Sequence, residues 1–224
     1  MSAVLAKHNI AYISAPKCAC TSIKELIFCL ENNCRFNKVR DHKGALCLII
    51  NEKKHYIHNF YPTIPFAKQE RTLLQRLHCF CIVRDPIDRI ISCYNNRVLR
   101  YKVLTQDALS EAGIKAPANP DPNQFIKNLH QYKKIGDIKH HTLPLIHFLG
   151  NESSFYDEIF NLKSLNKAEM TLKHHFGKEN ANLLHLQKTN RDIQNSLKDT
   201  LEKATIKNIE DIYEKDYNAY GEFF

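Results

Sequence analysis

Asn9-Ile10-Ala11-Tyr12-Ile13-Ser14-Ala15-Pro16-Lys17-Cys18-Ala19-Cys20-Thr21-Ser22-Ile23-Lys24 is the stretch on which the fold turns. Residues 9–14 read as a short apolar strand. A tight polar loop follows, and a helix is expected from Thr21 to about Glu31, where Ile23, Leu26, Ile27 and Leu30 recur at helical spacing. A loop carrying Lys17, Thr21 and Ser22 into a helix N-terminus suits an anion. The first N–H groups of a helix lack intrahelical partners, its dipole is positive there, and a lysine adds a full charge. The same residues also suit an ordinary strand–helix turn capped by Thr21. A Walker A loop is excluded, because that motif needs glycines and this loop has none.

Working outward, the chain alternates strand and helix. Ala45–Ile50 is a continuous apolar run and predicts a buried strand of the parallel-sheet kind. His55–Phe60 predicts a second short strand. Thr63-Ile64-Pro65 predicts a helix start running to about Leu77, with Thr63 as cap. His78–Val83 predicts another buried strand, followed by a helix over 87–104. Residues 105–122, with Gly113, Pro117, Pro120 and Pro122, predict a loop or insertion of the kind that lines a binding site and sets its specificity. A helix capped by Asn123, a polar loop over 136–144, a strand over 155–160, and a helix opened by Asn166–Glu169 and stopped at Gly177 follow. Residues 185–192 predict a polar loop and 193–220 a helical end. This grammar predicts an α/β fold: one domain over 1–224, with a central, mostly parallel sheet flanked by helices and a P-loop-like nucleotide-binding core.

Composition narrows the class. The 224 residues are 43% hydrophobic, enough for a sizeable core. The formal net charge of +8 favours an anionic partner such as a nucleotide, a nucleic acid or an acidic polysaccharide. Eight cysteines in a chain this long, without a signal-peptide pattern, predict reduced thiols and a cytoplasmic protein. Cys18-Ala-Cys20 and Cys79-Phe-Cys81 are too closely spaced for structural zinc, and no metal is expected. No run approaches the length of a membrane span, although contact with a membrane surface stays open.

The second informative stretch is Ile82-Val83-Arg84-Asp85-Pro86-Ile87-Asp88-Arg89-Ile90-Ile91-Ser92-Cys93-Tyr94. Arg84 falls at the carboxyl end of a strand, where open α/β sheets bind ligands. Ser92 lies about two helical turns into the following helix, so the two could converge on a phosphate, with the guanidinium as a planar fork. An Arg–Asp ion pair beside a helix-facing serine, with Asp88 and Arg89 as surface charges, is the plainer alternative.

Together the two stretches resemble the sulfotransferases, in particular the carbohydrate (Golgi-type) branch and its bacterial relatives. In that family a Pro-Lys-x-Ala-Cys-Thr-x-x-Lys loop holds the 5′-phosphosulfate of 3′-phosphoadenosine 5′-phosphosulfate. A Val-Arg-Asp-Pro-x-x-Arg-x-x-Ser-x-Tyr motif holds the 3′-phosphate. Pro16–Lys24 and Val83–Tyr94 carry both patterns. Weaker likenesses follow downstream. His141-Thr-Leu-Pro144 is similar to a His-x-x-Pro element, and Tyr156–Leu165 to a late strand. Leu186-Gln187-Lys188-Thr189 is similar to a loop near the cofactor, and Ile212–Tyr217 to a final Tyr-x-x-Asp-Tyr helix.

The resemblance implies transfer of a sulfuryl group from that donor to a hydroxyl of a carbohydrate or glycolipid. It implies Lys17 at the bridging and leaving oxygens. Cys18, Ala19, Cys20, Thr21 and Ser22 would surround the 5′-phosphate with Lys24 nearby, Arg84 and Ser92 the 3′-phosphate, and Lys188 and Thr189 the nucleotide. A base is needed for the acceptor, and histidine suits that task. His55, His58, His140 and His141 are the candidates, with Glu52 as a fallback. His58 is preferred, since His55–Phe60 resembles a histidine segment that supplies a base in some members. His55 and His141 are expected at the acceptor. Two other classes stay in view: a P-loop-type nucleotide kinase, weakened by the missing glycines, and a non-enzymatic nucleic-acid binder, for which no aromatic-basic module is evident.

Overall fold

The computed structural model describes residues 2–33, 36, 39–40, 46–50, 53–178 and 196–224. These fall into two compact units: residues 2–83 and 147–178 with Phe223, and residues 84–146 and 196–222 with Phe224.

The first unit is built on a four-stranded sheet. Strand β1 (Ala3–Leu5) runs antiparallel to β2 (Ile10–Ile13), with Ala3 opposite Tyr12 and Leu5 opposite Ile10. Asn9 turns between them in the left-handed region, which asparagine tolerates. All four residues of β2 are buried, as in a strand covered on both faces. Helix α1 (Cys20–Asn32) follows and buries Ile23, Leu26, Ile27 and Leu30 completely. Its C-terminal carbonyl at Leu30 accepts from Lys178 Nζ at 2.5 Å, a cation placed at the negative end of the helix dipole.

Next come β3 (Val39–Arg40), β4 (Leu46–Ile50) and β5 (Lys53–His55), which form a separate three-stranded antiparallel sheet. The apolar run 45–50 is therefore no buried parallel strand, and Ile49 is 53% exposed. Continuous hydrophobicity fits either arrangement, and only pairing decides between them. Past His55 the expected strand gives way to a single-turn helix, α2 (Ile57–Phe60). The helix expected from Thr63 is a 3₁₀ turn (Phe66–Lys68) and a short α3 (Arg71–Leu74), with Thr63 outside both. Strand β6 (His78–Ile82) then pairs parallel with β2, Ile10 opposite His78 and Ile13 opposite Cys81.

The second unit begins at Arg84. Asp85 caps α4 (Pro86–Cys93), its Oδ1 accepting from the N–H groups of Ile87 at 2.8 Å and Asp88 at 3.2 Å. The helix continues as a π-helix over Tyr94–Arg100. Residues 105–122 hold a helix of their own, α5 (Gln106–Glu111), capped by Thr105. The irregular part after it is pinned by two buried phenols. Tyr94 donates to Pro120 O at 2.8 Å and Tyr132 to Pro117 O at 2.7 Å. Helix α6 (Pro122–Lys127) is capped by Asp121 in a capping box with Gln124, rather than by Asn123. Helix α7 (Leu129–Tyr132) follows. The stretch 136–144, expected as a loop, is largely helix α8 (Gly136–Thr142), and α9 (Leu145–Leu149) comes next.

The chain then completes the first unit. Strand β7 (Glu158–Phe160) adds to β6 in parallel, giving the order β1-β2-β6-β7. Tyr12, Phe80 and Phe160 form an aromatic ladder across these strands, with ring centroids 5.0 and 5.9 Å apart. Helix α10 (Leu165–His175) packs on α1 and ends before Gly177, whose φ is +61°. Ser164, not Asn166, precedes it as cap residue. Helices α11 (Lys203–Ile212) and α12 (Glu214–Tyr220) end the second unit, where α11 packs against α4 and α6. The α/β class with a mostly parallel sheet and flanking helices is as the sequence predicts.

Candidate functional site

The loop 14–19 leaves the carboxyl end of β2 and enters α1, the position where parallel sheets bind ligands. It achieves a tight turn without glycine. Lys17 has φ +66° and Ala19 has φ +55°, so two L-residues sit in the left-handed region with Cys18 between them. Ala15, Pro16 and Cys18 are buried beneath the loop, whereas Lys17, Ala19, Cys20 and Ser22 are half-buried and Thr21 is exposed. Tyr12, just upstream, buries its hydroxyl without a hydrogen-bond partner among the described residues. Burial, with Cys20, Cys18 and Cys81 nearby, holds its pKa well above the usual phenol value.

Beside the loop lies a network that the sequence shows only in part. Lys24, on the second turn of α1, is fully buried. Its Nζ donates to Thr63 Oγ1 at 2.6 Å and lies 3.2 Å from His58 Nδ1. His58 Nε2 lies 3.1 Å from Thr21 Oγ1, and Thr63 Oγ1 lies 2.8 Å from Ser14 Oγ. Helix α2 thus delivers His58 to the helix-start hydroxyl, a contact the sequence does not reveal. Both ring nitrogens of His58 are already engaged, which bears on its expected role as a base. Ser14 and Thr63 were not foreseen. Thr63 reads as a helix cap in sequence, while its hydroxyl in fact joins the end of β2 to α1.

Lys24 answers whether these residues fit an anion. Its two partners are a threonine hydroxyl and an imidazole, and among the described residues no carboxylate pairs with it. Burial pulls its pKa below the ordinary lysine value, with the Cys20 side chain opposing. A buried cation without a counter-charge, next to a helix N-terminus and two hydroxyls, makes a site that an oxyanion completes.

The other expected residues are placed as follows. His55 ends β5 and faces Phe60, with ring centroids 6.0 Å apart. In the second unit Arg84 and Ser92 are both buried, at 9% and 7% exposure. Lys198, unforeseen, donates to Asp88 Oδ1 at 2.9 Å. Burial lowers its pKa, but Asp88 and Asp85 outweigh burial and the charge of Arg84, and hold it above the usual value. Arg89, a surface charge on the plainer of the two readings of its stretch, is 1% exposed. It pairs with Asp216 at 3.6 Å and donates to Leu143 O at 2.9 Å.

His141 sits on α8, hydrogen-bonded to Arg97 and 3.4 Å from Asp137 Oδ1. The hydrogen bond with His141, then Arg97, holds Asp137 below the usual carboxylate range against the effect of burial. Lys188, Thr189 and Glu52 lie outside the described residues. Among the described residues no cluster of three or more His, Cys, Asp or Glu is placed to hold a metal ion. Nor is any helix there long and apolar enough to cross a membrane.

A family model described as the sulfotransferase family matches residues 2–223, essentially the whole chain. No curated protein and no solved structure matches it. The glycine-free anion loop after β2, the Arg84 segment after β6 and the whole-length match agree: the chain belongs to the sulfotransferase family.

Proposed function

We propose that the protein transfers a sulfuryl group from 3′-phosphoadenosine 5′-phosphosulfate to a hydroxyl of a carbohydrate or glycolipid. The observation that carries this reading is the loop from Ser14 to Thr21, with Lys24 buried beside it and paired with no carboxylate among the described residues. A bound phosphosulfate supplies a sulfuryl group already activated for in-line displacement. The chain's own residues supply position and charge. Lys17, on the loop and half-exposed, is assigned to the oxygen at which negative charge grows as the bond to the leaving phosphate breaks. The N–H groups at the start of α1, with Thr21 and Ser22, hold the 5′-phosphate. Arg84 and Ser92 are assigned to the 3′-phosphate, where a guanidinium offers two parallel N–H donors. His58 is kept at the reacting end by its contact with Thr21. His55 and His141 are the acceptor-side candidates. The cytoplasm is the proposed location.

A transfer assay with ³⁵S-labelled donor across neutral and acidic glycans and glycolipids tests the reading. Transfer to at least one glycan or glycolipid class, together with a rise in melting temperature on adding 3′,5′-diphosphoadenosine, is the expected result. Stabilisation by ATP with magnesium but not by the diphosphate would sink it in favour of a kinase.

A further inference from the structure

Lys24, His58 and Thr21 form a chain whose proton positions follow from chemistry. A lysine ammonium has three donors and no acceptor. Nζ uses one N–H on Thr63 Oγ1 at 2.6 Å. At 3.2 Å from His58 Nδ1, a second N–H of the same group meets a ring nitrogen that must then present its lone pair. A neutral imidazole with its lone pair on Nδ1 carries its proton on Nε2. That N–H points at Thr21 Oγ1, 3.1 Å away, so Thr21 accepts from the ring and its own O–H turns elsewhere. Thr21 stands at the second position of α1, exposed, beside the loop.

We propose that Lys24 is a positioning residue that holds His58 as the Nε2–H tautomer, so that His58 donates to Thr21 and directs the Thr21 hydroxyl proton at an oxyanion bound by the loop. Lys24 therefore acts on the anion through two intervening side chains instead of touching it. His58 serves the donor half of the site rather than taking the acceptor's proton. The arrangement has a physical logic. A hydroxyl can donate or accept, and a ligand made only of acceptors gains from one whose proton is already turned outward. Thr63 fixes the ammonium, and its contact with Ser14 at 2.8 Å ties that anchor to the strand end on the other side of the loop. The tautomer assignment rests on the two contact distances together with Lys24 as an ammonium, which donates only. Its bearing on the 5′-phosphate rests on the reading of the loop proposed above.

Long-range ¹H–¹⁵N correlation spectra of the full chain, labelled with ¹⁵N-histidine and recorded at mildly alkaline pH, read the tautomer directly. His58→Asn identifies the His58 signals. The expected result is a lone-pair nitrogen at Nδ1 and a protonated Nε2. A ring protonated on Nδ1, alone or on both nitrogens, overturns the proposal, and the spectrum of the unaltered chain suffices if Lys24 variants do not fold. Where they fold, Lys24→Met should convert the ring to an exchanging mixture of tautomers. Lys24→Met and Thr21→Val should each weaken 3′,5′-diphosphoadenosine by about tenfold, and the double variant by no more than either single change. Additive losses overturn the relay. If the diphosphate does not bind but ATP does, with the same non-additive losses, the relay is upheld and the phosphosulfate reading is the one rejected.

Discussion

Asp216→Ala should be among the most damaging single changes in the second unit, for a reason its position in sequence does not reveal. The carboxylate is fully buried. Its Oδ2 accepts from the Leu145 N–H at 2.7 Å and its Oδ1 from the Ile146 N–H at 3.0 Å, the first two residues of α9. Oδ2 also lies 3.6 Å from Arg89 Nη1, whose side chain is itself 2% exposed. Truncation removes the carboxylate from beside the Arg89 guanidinium and takes from two helix-start N–H groups the acceptor they share. Removing one partner of a buried pair costs about 3–5 kcal/mol. The N–H groups share the same carboxylate, so their losses overlap with that figure. A value of about 4 kcal/mol corresponds to a fall in melting temperature of about 8–16 °C for a chain of this length. Urea and thermal unfolding followed by circular dichroism would measure it. Asp216→Asn keeps the size and one acceptor oxygen and should lose less. If Asp216→Ala unfolds within about 1 kcal/mol of the unaltered chain, the carboxylate is not the anchor the geometry makes it.

Further outcomes follow from the same contacts. Lys17→Ala should lower transfer by at least about a hundredfold, as for loss of a donor aimed at developing charge, while leaving the melting temperature unmoved because Lys17 is half-exposed. Arg84→Ala should weaken 3′,5′-diphosphoadenosine by about 10–100-fold in a titration calorimeter, the worth of a charge-assisted contact. Burial raises Asp216, with Arg89 and the two N–H groups opposing. The folded chain then holds that proton more tightly than the unfolded one, so stability contributed here falls as pH rises from the ordinary carboxylate value through the raised one. A melting series across the acid range should show that slope in the unaltered chain and lose it in Asp216→Asn. Burial, then Asp157, pushes the Cys79 thiol up to about 12, and burial holds Cys81 well above the usual thiol value, with Cys18 and Cys79 adding to it. Iodoacetamide at neutral pH should spare both and label Cys20 at the start of α1, with 3′,5′-diphosphoadenosine protecting it, as peptide mass spectrometry would show.

What the sequence made legible was set by how local the cause is. Ile10–Ile13 and Cys79–Ile82 are short apolar runs buried along their length, and both are visible in the sequence. The strand–loop–helix at 10–32 is likewise spelled out by adjacent residues. The errors fall where a distant partner decides. Leu46–Ile50 has the composition of a central parallel strand but pairs antiparallel with its neighbours. Thr63 has the look of a cap until Lys24 and Ser14, both far away in sequence, claim its hydroxyl. Arg89 looks like a surface charge because its partner, Asp216, is on the last helix. The two halves of the family pattern are in this sense one feature. Arg89 of the Val83–Tyr94 motif binds Asp216 of the final Tyr-x-x-Asp-Tyr helix, while Tyr217 donates to Asp85 at 3.4 Å and Tyr213 to Thr142 O.

The glycine-free loop carries the same lesson into the site. A glycine-rich phosphate loop reaches the left-handed region at no steric cost and is correspondingly loose when empty. Here Lys17 and Ala19 occupy that region at a cost of about 1–2 kcal/mol each, so the surrounding structure must over-determine the turn. It does so from two directions. From beneath, Ala15 and Cys18 are fully buried and plug the loop into the core. From the side, Thr63 bridges Ser14 before the loop and Lys24 after it, closing a brace across the turn. A loop braced at both ends has little freedom left to lose when an anion arrives, which favours tight binding. The residue that completes the brace, Lys24, also lies beside His58 and, through it, Thr21. Rigidity of the loop and orientation of its hydroxyl therefore depend on one buried ammonium. On the proposed reading Lys24 serves the site without touching the anion, through the turn it braces and the hydroxyl it orients.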